Sequence, residues 1–87
     1  QEGGFRTNLP IVCGPTQTIV DEIKEDYGEE LIFMGGSLNA DGQSLYSTVW
    51  GNEKTGTFTI IISNKELETT CIITSGEGYQ SYLGSPI

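Results

Sequence analysis

Residues 14–36 read GPTQTIVDEIKEDYGEELIFMGG, and the change of period inside this stretch decides the fold class. Ile19, Val20, Ile23 and Tyr27 recur at helical spacing and fall within about 100° of arc, which makes one apolar face. Asp21, Glu22, Lys24, Glu25 and Asp26 occupy the remaining arc. Pro15 stands at the entrance, where its missing N–H costs nothing at a first helical position. Asp21 and Glu22 come early, where the helix dipole favours acids, and Gly28 is a natural stop. The spacing therefore predicts an amphipathic helix over residues 15–27. From Glu30 the period becomes two, and residues 30–36 (ELIFMGG) read as a buried strand.

Working outward, the alternation continues. Asn39-Ala40-Asp41-Gly42 supplies a turn, and residues 44–50 alternate as a second strand. Residues 52–56 (NEKTG) form a tight hairpin loop, with Gly56 where a positive φ is needed. Residues 57–63 (TFTIIIS) follow, with Phe58, Ile60 and Ile62 sharing one face. Asn64-Lys65-Glu66 turns the chain again into a fourth strand, residues 69–75 (TTCIITS). Three short connections in succession imply antiparallel neighbours. The expected fold is α+β, one amphipathic helix packed on a four-stranded antiparallel β-meander. Residues 1–12 read as an N-terminal arm, 13–78 as the single domain, and 79–87 as a tail carrying Tyr79, Tyr82 and Leu83. A meander leaves two sheet edges, and an uncovered edge suits pairing with a second copy of the chain.

Composition bounds the function. The 87 residues carry four Lys plus Arg against twelve Asp plus Glu, a net charge of -8, which argues against nucleic-acid binding. No His is present, so the commonest general base and the commonest zinc ligand are missing. No apolar run approaches the ~20 residues of a membrane span. Cys13 and Cys71 lie 58 positions apart without a C-x-x-C spacing. In an oxidising compartment they would pair as a structural clamp, with Cys71 and Ile73 pointing to the helix-covered face; the alternative is two buried thiols acting as small hydrophobes. The opening Gln1-Glu2-Gly3-Gly4, without Met or an apolar stretch, reads as a chain whose targeting segment is gone, and an artificially trimmed chain would begin in the same way. Together these features predict a periplasmic or secreted protein.

Constellations that carry chemistry are few. Glu22 and Asp26, and Glu25 and Glu29, stand at i, i+4, a spacing that suits acid–base work, a hard cation, or simply a solvated helix face. Glu29-Glu30, leading into the first strand, reads as a charged rim. Residues 37–42 (SLNADG) share alternate oxygen ligands with half a calcium loop, but Ser37 and Thr48 stand where Asp and a bidentate Glu belong, so an Asp-Gly turn is the better reading. Gly76-Glu77-Gly78 opens no helix and has no Lys, so it is no phosphate cradle. No cofactor motif and no metal set stand out. Trp50, Tyr79 and Tyr82, with Phe5, can build a contact patch, or Trp50 can cap the core while the tyrosines pin the tail.

Cys13-Gly14-Pro15-Thr16 opening a helix closed by Tyr27-Gly28-Glu29, then Asn52-x-x-Thr55-Gly56-Thr57-Phe58-Thr59, then Cys71 with Gly76-Glu77-Gly78, resembles a family of small hypothetical proteins. They occur in marine and other Gram-negative bacteria and their phages, usually behind a signal peptide. Glu53 replaces the Pro expected in the hairpin and Phe58 the more usual Trp. The resemblance implies export and the disulfide; it supplies no catalytic residue, because the family has no assigned activity. The functional expectation is a small exported, non-enzymatic binding or accessory protein. Its acidic surface, with Glu22, Glu25, Asp26 and Glu29 beside the aromatics, would meet a basic protein partner. Two rival readings use the same acids. One is an acidic intracellular inhibitor or DNA mimic encoded by a phage, its carboxylates imitating a row of phosphates. The other is a hydrolase with paired carboxylates among Glu22, Glu25 and Glu30.

Overall fold

The computed structural model describes Gly4 and residues 10–80. The helix, α1, spans Thr16–Glu25, shorter at both ends than its periodicity predicts. At the start, Pro15 is the N-cap and not the first helical residue; its backbone is extended (φ -60°, ψ 134°) and no side chain caps the helix. At the end, Asp26 is the C-cap and its N–H donates to the Glu22 carbonyl. Ile19 and Ile23 are the two helical residues that are buried.

Pro15 is extended because it closes a strand that the sequence reading assigns to the arm and the helix entrance. Strand β1 (Val12–Pro15) pairs antiparallel with β5 (Thr69–Gly76), Val12 opposite Ile72 and Pro15 opposite Thr69. The remaining strands are β2 (Glu30–Leu38), β3 (Ser44–Gly51) and β4 (Phe58–Asn64). The fold is α+β with five antiparallel strands in one sheet, ordered β1-β5-β4-β3-β2. The four expected strands follow one another as hairpins, but the sheet as a whole is not a four-stranded meander. Four residues containing Gly and Pro are too few to show alternation, and their partner lies more than fifty residues away, so nothing local announces β1.

Side-chain alternation explains which residues meet α1. Thr48 and Trp50 on β3 stand opposite Ile61 and Thr59 on β4, and Ile61 stands opposite Ile72 on β5. This face carries the core: Ile19, Ile23, Trp50 and Ile61 are buried, with Val20 and Ile72 packed against them. Trp50 Nε1 donates to Thr48 Oγ1 at 2.9 Å, which satisfies the buried indole, and Lys24 Nζ lies 5.8 Å from the ring centroid. Under the start of α1, fully buried Thr70 shares hydroxyl hydrogen bonds with Ser63 (2.7 Å) and Thr16 (2.8 Å).

Cys13 and Cys71 are joined in a disulfide, their Cα atoms 4.0 Å apart as direct cross-strand partners. The bridge lies on the face away from α1, which corrects the expectation that Cys71 points toward the helix. Ile72 takes the helix side, so its neighbour Cys71 must take the other. The register shift beside Ile60 and Ile61 places Ile73 as an extra residue opposite them, which breaks the simple pairing of Cys71 with Ile73 on one face. That opposite face also carries Leu45, Val49, Ile60 and Ile62, all half-buried.

The turns follow their sequence signals. Gly42 (φ 79°) and Gly56 (φ 77°) occupy left-handed backbone, and Asn52 Oδ1 accepts from the Lys54 and Thr55 amides. Beyond β5, Tyr79 turns back so that its N–H donates to the Gly56 carbonyl at 2.9 Å. Its ring lies over Gly51, where an added Cβ would stand 2.6 Å from Ile32 Cδ1 and 3.1 Å from Tyr79 Cε2.

Two stability measurements check this account. Replacing both cysteines with serine is expected to lower unfolding free energy in urea by about 2–4 kcal/mol, the usual worth of a bridge closing a long loop. Gly51→Ala is expected to cost about 1–3 kcal/mol in the same assay, because Ile32 and the Tyr79 ring must both move to admit the methyl group.

Candidate binding site

The site is assembled where α1 ends. Gly28 takes a positive φ (60°), which turns the chain so that the Glu29 N–H donates to the Ile23 carbonyl at 3.1 Å. Asn52 Nδ2 donates to the Tyr27 carbonyl at 3.1 Å and ties this turn to the β3–β4 hairpin. The result carries the Glu29 side chain inward: the residue is only 3% exposed, while Glu30 beside it is exposed. Glu29 is thus no part of a charged rim. Its Oε1 is buried and has no hydrogen-bond partner. Nearly all buried polar atoms in folded proteins are satisfied, so an orphaned carboxylate oxygen marks a special place.

That oxygen belongs to a residue lining a cavity of about 240 Å³ between α1 and the sheet. Ile19, Ile23, Ile72 and Phe58 give it apolar walls. Thr57, Thr59 and Ser75 contribute hydroxyls, and Tyr27 stands at the helix end. Three carboxylates line it, Glu22 from the helix, Glu29 from the turn and Glu77 from beyond β5, and no Lys or Arg is among the described lining residues. Chemically, apolar walls suit an apolar stem and carboxylates suit a positive charge.

Glu22 is the one residue of the suggested acid–base set Glu22, Glu25 and Glu30 that lines the cavity. Glu25 and Asp26 are exposed beside it. Trp50, 7% exposed, sits in the core under α1, so its indole joins the packing and not an outer patch. Tyr79 is half-buried over Gly51, on the other face of the sheet from α1. Tyr82 and Phe5 lie outside the described residues. The Ser37–Gly42 stretch is a turn: Asn39 Oδ1 accepts from the Asp41 and Gln43 amides, both at 2.9 Å. Among the described residues no group of three or more His, Cys, Asp or Glu side chains is placed to hold a metal ion.

The cavity itself is absent from the sequence reading, although one signal was present. Glu29 follows a helix C-terminus, where exposed carbonyls disfavour a negative charge. Glu25 and Asp26 stand against the same field, so what sets Glu29 apart is its place directly after the Gly28 stop.

If Glu29 is kept for binding and not for stability, removing its orphaned oxygen should strengthen the fold. Glu29→Met, of similar length, is expected to raise unfolding free energy by about 1 kcal/mol or more in urea denaturation. A loss of stability would mean that the carboxylate holds the structure together. No family model, curated protein or solved structure matches the chain.

Proposed function

We propose that the protein is an exported, non-enzymatic binding protein whose partner is a basic protein. The observation that carries this reading is the cavity at the end of α1, which Glu22, Glu29 and Glu77 line beside apolar walls without a basic side chain among the described lining residues. The net charge of -8 surrounds that cavity with a field that draws cationic surfaces and steers their approach. A cross-strand disulfide suits a domain that works in an oxidising compartment, and a core of four buried apolar side chains gains from such a staple.

Calorimetric titration with a lysine- and arginine-rich hexapeptide tests the reading. Binding is expected at low ionic strength and should weaken about tenfold or more as salt rises from roughly 20 to 300 mM, since screening shortens the reach of surface charge. An acidic hexapeptide should not bind. Absence of binding at low salt would overturn the proposal.

A further inference from the structure

The buried Glu29 carboxylate is an expensive feature for so thin a core, and its surroundings say what would satisfy it. A carboxylate whose Oε1 lacks a hydrogen-bond partner, at 3% exposure, attracts a donor that carries positive charge. A hydrated metal ion needs several oxygens in a fixed shell, whereas much of this wall is aliphatic and aromatic: Ile19, Ile23, Ile72 and Phe58. An organic cation with an apolar stem uses both halves of the cavity. Its methylenes lie along these walls while its charged head meets Glu29, with Glu22 and Glu77 adding field from the lining. At about 240 Å³ the space lies below the ~300–1,000 Å³ typical of drug-sized ligands, and so fits one side chain.

The geometry points to this cavity as a specific receptor for a single lysine or arginine side chain of a basic polypeptide, with Glu29 as the anchoring residue. This rests on the reading of the protein as a binder of basic partners, and it adds the point at which the partner's charge is buried. Surface acids such as Glu25 and Asp26 serve the approach, where screening is strong. Glu29 serves recognition, because a charge pair formed away from water discriminates far more sharply between partners.

The test is an amide-resolved NMR titration at neutral pH and low salt. The probes are acetyl-Gly-Lys-Gly-amide, its Arg counterpart, its norleucine counterpart with the same stem and no charge, n-butylammonium, and the basic hexapeptide. The Lys or Arg probe is expected to shift amides of Ile23, Glu29, Thr59 and Ser75 in a saturating manner, with norleucine producing no such shifts. Glu29→Gln should weaken this binding about tenfold or more, and Glu77→Gln severalfold, while Glu25→Gln changes it less than about twofold. A dispersed amide spectrum shows that each variant is folded, and Glu77→Gln keeps the test alive should Glu29→Gln fail to fold. Equal binding of the norleucine probe, or full binding to folded Glu29→Gln, would overturn the cation site. Tighter binding of n-butylammonium than of either peptide would assign the cavity to a small free amine and overturn the side-chain assignment. If the hexapeptide binds salt-sensitively while the cavity stays silent, the receptor falls and the wider reading stands. If no basic probe binds at all, both fall.

Discussion

Ile19 and Ile23, one helical turn apart, pack onto Trp50 and Ile61 of the sheet, and these four make up the buried apolar core among the described residues. Everything else depends on that contact, because a sheet of this size cannot bury both faces with one helix of ten residues. The contact fixes the side of the sheet on which α1 lies, and so fixes that Ile72 faces inward and Cys71 outward. It also fixes where α1 ends, since Ile23 is both a core residue and the acceptor for the Glu29 N–H. The smaller devices add to it. Trp50 is satisfied by Thr48, Thr70 by Ser63 and Thr16, and the post-helix turn by Asn52. Each removes a cost that a thicker core could tolerate.

The site inherits its form from the same contact. The cavity lies where α1 stops at Glu25 while the sheet below it continues, leaving Thr59 and Ser75 without a helical turn above them. Gly28 then bends the chain back across this gap and delivers Glu29 into it. The unsatisfied carboxylate and the short helix are therefore two aspects of one arrangement. A helix continuing through Tyr27, as its periodicity alone suggests, would cover the ground the cavity occupies.

Elements with local signals were legible in the sequence. The helix showed its period, Gly42 and Gly56 marked turns that need left-handed backbone, and the two cysteines suggested a clamp. What was hidden is long-range. β1 has four residues and makes sense only beside β5; the outward face of the disulfide follows from the partnering of Ile61 with Ile72; and the bulge at Ile73 has no sequence mark. The burial of Glu29 is hidden for a related reason. Its type and neighbours match an exposed acid, and its burial comes from the direction in which Gly28 sends the chain.

The placement of the disulfide also bears on how long a folded molecule lasts. The β2–β3, β3–β4 and β4–β5 pairings each close a short turn, whereas β1 meets β5 across 58 positions of sequence. Closure entropy grows with loop length, so the β1–β5 contact is the most costly of these to form. A bond placed at a contact that forms late does little to hasten folding and acts mainly on the escape from the native state. In a domain with four buried apolar side chains, the covalent seam where the first strand meets the last therefore bears on how slowly the native state is left.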